Sequence, residues 1–191
     1  MKDKIMKKDI EKEFLTAVDT SVRTHSKKTK NHINQKKKGN SGELELVHIL
    51  NNRFGNDYFM RSPMSGAYVG ATNRTRAGNM NAELASIFTG DVVPKSVAKN
   101  FKFSIEHKFY KEASFWDLFN EESDPHHWFE QASSDAASIG KLPMLIVKYN
   151  NHNRIVYIKN DCPLEPIFTH RGWKCYNLQD LLSLDNSYFF S

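Results

Sequence analysis

The stretch Phe101-Lys102-Phe103-Ser104-Ile105-Glu106-His107-Lys108-Phe109-Tyr110 alternates large apolar side chains with polar ones. A strand turns successive side chains to opposite faces. Phe101, Phe103, Ile105, His107 and Phe109 therefore share one face, and Lys102, Ser104, Glu106, Lys108 and Tyr110 share the other. Glu106 and Lys108 point the same way. Upstream, Gly90-Asp91-Val92-Val93 reads as a short strand, and the connection through Pro94, Lys95 and Asn100 is long enough for the chain to reverse. A hairpin of these two strands brings Asp91 beside Glu106, which puts two carboxylates and one ammonium in one small space.

Two adjacent carboxylates repel unless a cation lies between them, and a hard ion such as Mg2+ takes oxygen ligands from one or two carboxylates while keeping several waters. A lysine beside such an ion can orient a water or stabilise charge developing on a phosphate. A Glu-x-Lys pair alone is an ordinary solvated strand face. The pattern Asp91-x14-Glu106-x-Lys108, flanked by apolar residues on each element, is a narrower specification.

Four pieces then occur in order: Lys38-Gly39-Asn40-Ser41-Gly42-Glu43-Leu44-Glu45-Leu46; Arg61-Ser62-Pro63-Met64-Ser65-Gly66; Asp91-Val92-Val93 with Ile105-Glu106-His107-Lys108; and Gln131 ahead of Pro143-Met144-Leu145-Ile146-Val147-Lys148. On these the chain resembles the PD-(D/E)xK nucleases and, within them, the archaeal-type Holliday junction resolvases. The residue before Asp91 is Gly90 where the family name has Pro, and 25 residues separate Ser65 from Asp91, more than resolvases use. The resemblance implies a restriction-endonuclease-like (resolvase-like) α/β core with a mixed central sheet flanked by helices. It also implies Mg2+ as cofactor, with Mn2+ able to substitute, bound by Asp91 and Glu106, with Glu43 completing the site and the carbonyl of His107 a further ligand. Glu43, Asp91, Glu106 and Lys108 would be the catalytic set, with Gln131 in support. Arg61 and Ser65 would lie near the scissile phosphate.

Charge is unevenly distributed. Residues 1–40 hold 12 Lys plus Arg against 5 Asp plus Glu, or +7, so of the chain's 27 and 22 the remainder holds 15 and 17, or −2. The sequence divides accordingly into a basic N-terminal helix and linker, residues 1–38, and a nuclease domain, residues 39–191. Ile10, Phe14, Leu15 and Val18 give the first part a short amphipathic helix. From Arg23 to Lys38 the chain is basic and polar and reads as a linker, either simply solvated or adding phosphate contacts through Lys36, Lys37 and Lys38. Two cysteines are too few for a disulfide framework, and no apolar run is long enough to span a membrane. These features point to a cytoplasmic protein, nucleoid-associated or in a virus-infected cell.

Ser41 to Phe54 reads as a helix in which Glu43, Leu46, Val47, Leu50 and Phe54 form one stripe and Glu45 faces water. A carboxylate on an apolar stripe is costly without a counter-charge. Tyr58 to Ser62 follows as the first strand, and residues 66–80, rich in Gly, Asn and Thr, as a long loop in which Arg74 and Arg76 could meet DNA. Phe115, Trp116, Leu118 and Phe119 suggest a helical turn over the sheet. A helix starts at Asp124-Pro125, with Asp124 as N-cap, and runs to Ile139 with Trp128, Ala132, Ala136 and Ile139 inward and Gly140 as terminator. His126 and His127 diverge on that helix and read as surface histidines. Leu142–Tyr149 and Arg154–Lys159 follow as strands, Trp173–Tyr176 as an edge strand, and Asn177 as the cap of a final helix.

The expected function is a Mg2+-dependent, structure-selective DNA endonuclease acting as a homodimer on Holliday junctions. A restriction- or homing-type endonuclease on the same core is the enzymatic alternative, favoured by the long segment from Gly66 to Thr89, and a non-catalytic DNA-binding protein is the alternative from another class.

Overall fold

The computed structural model describes residues 35–63, 89–112, 116–120 and 122–191. The helix expected from Ser41 begins six residues earlier, as α1 (Gln35–Phe54), inside the stretch read as linker. Gln and Lys are good helix formers, and Gly39, between Lys38 and Asn40, meets no neighbour that would oppose a helix there. After a turn at Gly55 come β1 (Phe59–Arg61), β2 (Val92–Pro94), a 3-10 turn at Ser96–Ala98, and β3 (Phe103–Tyr110). Next come a 3-10 turn at Trp116–Phe119, α2 (Asp124–Ser138), β4 (Leu142–Tyr149), β5 (Arg154–Ile158), β6 (Phe168–His170) and β7 (Trp173–Asn177). Two short helices, α3 (Leu178–Leu182) and α4 (Asn186–Phe189), close the chain. The N-terminal amphipathic helix, Ser65, Phe115, Arg74 and Arg76 with most of the 66–89 segment lie outside the described residues.

The described strands form one mixed sheet in the order β1-β2-β3-β4-β5-β7-β6. Every pairing is antiparallel except β3 with β4, whose parallel connection is made by α2. Trp173–Asn177 is therefore an interior strand, and the edge is β6, which the sequence did not suggest. Asp124 is not the N-cap of α2: Ser123 holds that position in extended conformation, and the Asp124 carboxylate accepts from the Tyr110 hydroxyl instead.

The alternation of β3 sorts the core into two layers. Phe103 and Ile105 join Met144, Ile146, Val156 and Ile158 beneath Leu46, Val47, Leu50 and Phe54 of α1 and Phe189 of α4. On the opposite face Leu145, Val147, Tyr149 and Tyr157 meet Trp128, Phe129 and Ala132 of α2 and Leu118 of the 3-10 turn. Each fully buried side chain of this size contributes roughly 1.5–3 kcal/mol. Helices thus cover both faces of the central strands, as a parallel pair requires. Among the described residues no helix is long and apolar enough to cross a membrane.

Candidate active site

Asp91 is fixed before its side chain is considered. Its N–H donates to the Ile105 carbonyl at 2.9 Å, and its carbonyl accepts from Ser62 N–H at 2.9 Å, so β1 and β3 hold it from both sides. Gly90 makes this possible, turning with φ +88° against the Ile105 carbonyl. The Asp91 carboxylate then accepts from the His107 N–H at 2.9 Å. Because Val92 pairs with Ile105 in antiparallel register, Asp91 stands across from Glu106. Both carboxylates are buried, at 8% and 4% exposure.

Lys108 lies on the same face of β3. Its Nζ is 2.7 Å from Glu106 Oε1 and donates to Gln131 Oε1 of α2 at 3.1 Å. Gln131 is thus turned toward the sheet, within hydrogen-bond reach of Lys108.

Burial raises the pKa of both carboxyls. Asp91 is raised further by Glu43 and is opposed by the His107 N–H bond; Glu106 is raised further by Asp91 and is opposed by Lys108. Burial disfavours the charged form of Lys108, but Glu106, Asp91 and Asp135 outweigh it and hold the amine above its ordinary range. Asp135 was not singled out from the sequence. It stands one helical turn beyond Gln131, and that i+4 spacing was the available signal.

Glu43 is 7% exposed on the buried stripe of α1. Its counter-charge is Arg61, whose Nε donates to the Glu43 carboxylate while Nη2 donates to Asn40 Oδ1 at 2.8 Å. Arg61 therefore braces the helix that carries Glu43. Glu45, expected to face water, is 61% exposed at its side chain and pairs with Arg154. Glu43→Gln should reduce cleavage at least about tenfold if Glu43 acts on the Asp91 site, the effect of losing one supporting partner of a metal site, while Glu45→Gln should leave it unchanged. Equal tolerance in a cleavage assay would reduce Glu43 to a partner of Arg61.

The His107 ring points to the opposite face, buried and packed against Gly42, with no hydrogen-bond partner for either nitrogen among the described residues. Burial, then Arg154, hold its pKa down to about 3, so it is neutral. Only the His107 backbone reaches the carboxylates. Among the described residues no three His, Cys, Asp or Glu side chains converge as a metal cluster. Lys38 lies over the Phe109 ring at 4.2 Å, and Lys36 and Lys37 lie at the start of α1.

A family model described as "Phage putative PDDEXK endonuclease" matches residues 34–180, a span that contains every element from α1 to β7. The chain belongs to this family. The phage PDDEXK endonucleases are nucleases, hydrolases whose substrate is DNA, and PD-(D/E)xK enzymes typically depend on a divalent metal. No curated protein and no solved structure matches the chain.

Proposed function

We propose that this PDDEXK endonuclease is a Mg2+-dependent, structure-selective enzyme that hydrolyses phosphodiester bonds in branched DNA, with the Holliday junction as substrate and a homodimer as the active form. The observation that carries the hydrolytic reading is the placement of Asp91 opposite Glu106 with Lys108 held between Glu106 and Gln131. The junction reading is supported by the resolvase-like order of the Glu43, Arg61, Asp91 and Gln131 pieces, and two symmetric cuts call for two copies of the site.

The residues fit a hard divalent cation. Asp91 and Glu106 offer carboxylate oxygens whose ionisation burial and mutual repulsion oppose, a cost that a cation offsets; the His107 carbonyl and water would complete the ligands. Bound there, Mg2+ would lower the pKa of a water and neutralise charge on the phosphate. Lys108, kept protonated, donates a hydrogen bond to the attacking water or to the phosphorane-like oxygens and does not act as the base. Gln131 limits the swing of its amine, and the His107 N–H fixes the Asp91 carboxylate. Arg61, if it left Glu43, would be able to meet a phosphate.

Incubation with Mg2+ on four-way junction, flap, linear duplex and plasmid DNA tests the reading. Paired symmetric nicks confined to the junction are expected. Cutting at one duplex sequence would favour a restriction- or homing-type enzyme, and DNA binding without any cleavage would favour the non-catalytic alternative. Residues 1–34 hold 9 Lys plus Arg against 5 Asp plus Glu. Removing them keeps α1 whole and should weaken DNA binding without changing which structure is cut. If that segment neutralises about three phosphates, the slope of log affinity against log salt falls by ~2.7, as a salt titration would measure.

A further inference from the structure

Charge separates the grooves of the described surface. The groove beside Tyr110 carries Asp117, Asp124 and Glu112, the last paired with Lys111 at 2.8 Å, and the one beside Lys102 sets that lysine against Asp161 and Asp185. A third groove, about 470 Å3, runs along the flank of α2 facing away from Gln131. Among the described residues that line it, Lys159 and Arg171 stand against one carboxylate, Glu130, with the Ser133 and Ser134 hydroxyls and His126 in its wall.

Its two cations are exposed but held in place. Lys159 Nζ lies 5.0 Å over the Trp173 ring. Arg171 and Gly172 form the two-residue turn between β6 and β7, both at positive φ, +49° and +79°, as a tight hairpin demands. Arg171 Nη1 lies 2.5 Å from His126 Nε2. A guanidinium on such a turn loses little freedom when it binds a phosphate.

The groove and the catalytic residues share one face of the sheet, with α2 between them. From β3 to β7 is three strand spacings, roughly 14 Å. The strand register sets Lys159 level with Ser104, four residues before Lys108, which adds roughly 13 Å along the strands. The separation is then roughly 19 Å, and at about 3.4 Å of helix axis per nucleotide roughly six nucleotides cover it. Asp117 and Asp124 in the groove beside Tyr110 disfavour a backbone leaving Lys108 in that direction. The domain from residue 41 onward is net negative, so attraction for DNA must come from local patches such as this one.

We propose that Lys159 and Arg171 form a second phosphate-binding site, which holds the backbone of the DNA substrate across α2 from the cleavage site. This rests on the endonuclease reading above. The test measures affinity of the full chain for four-way junction DNA against salt, with Ca2+ replacing Mg2+ to suppress cutting. The slope of log affinity against log salt should fall by ~0.9 for Lys159→Gln or Arg171→Gln and by ~1.8 for the double variant, and should not move for the exposed control Lys99→Gln. If the wild type cuts DNA yet the double variant keeps its slope, or the control shifts it equally, this site is wrong and the endonuclease reading stands. If the wild type neither binds nor cuts DNA, both fall.

Discussion

Asp91→Asn should abolish Mg2+-dependent cleavage, lowering the rate at least about a hundredfold, while leaving the metal-free protein as stable as the wild type or more so near neutral pH. The loss follows from the role of the carboxylate: a catalytic cation supplies several kcal/mol to the transition state, and each ~1.4 kcal/mol is a factor of ten. The stability gain follows from burial. The folded-state pKa of Asp91 is raised above its ordinary value, so the folded protein favours the protonated form. That favourable contribution is complete below the unfolded carboxylate pKa, about 4, and is lost as pH rises through the raised value. Asparagine has no charge to desolvate, and its side-chain oxygen can still accept from the His107 N–H. With chelator present, the melting temperature of the variant relative to wild type should therefore rise from about pH 4 to about pH 6, the value to which the Asp91 pKa is raised, and level off above it. Added Mg2+ should raise the wild-type melting temperature and leave the variant's unchanged. Glu106→Gln should lose cleavage equally but gain less stability, because it deprives Lys108 of the partner 2.7 Å away. Near-wild-type cutting by either variant would show that the cation site lies elsewhere.

What the sequence disclosed about this site was periodic. The alternation through β3 put Glu106 and Lys108 on one face, and the helical stripe put Glu43 among Leu46, Val47, Leu50 and Phe54, because both patterns are local consequences of backbone geometry. What it concealed depends on partners distant in the chain. β6 is three residues long, follows Pro163 and Pro166, and exists through its pairing with β7. The first turn of α1 looked like linker because Gln35 to Lys38 carry no apolar stripe, yet Lys38 packs its ammonium over Phe109, a residue 71 positions away. The Glu43 charge called for a counter-charge, but whether that was a metal ion or Arg61 depended on how β1 sits beside α1. Asp135 was hidden for the same reason. Only the crossover from β3 through α2 to β4 sets the Gln131 face of the helix over Lys108.

Gly90→Ala should unfold the protein more readily and impair its cleavage together, since Gly90 is what lets the chain enter β2 with Asp91 facing Glu106. Its φ of +88° is open to glycine and strained for alanine, at about 1–2 kcal/mol. A Cβ there would stand 2.6 Å from the Ile105 carbonyl oxygen, which cannot retreat without disturbing the acceptor of the Asp91 N–H. Together these cost roughly 3 kcal/mol. For a chain of this size that is a fall of roughly 6–12 °C in melting temperature. Cleavage should fall further than stability explains, even with Mg2+ saturating and the temperature well below melting, because a displacement of about 1 Å at a reacting centre can cost about a hundredfold. Gly39→Ala is the matched control. That position lies within α1 with nothing inside 4 Å of an added Cβ, so alanine there should stabilise by up to about 1 kcal/mol and leave cleavage unchanged. A Gly90→Ala protein that melts and cuts like the wild type would mean that Asp91 is not held by the Gly90 turn, and that the register of β2 against β3 tolerates a different entry into the strand.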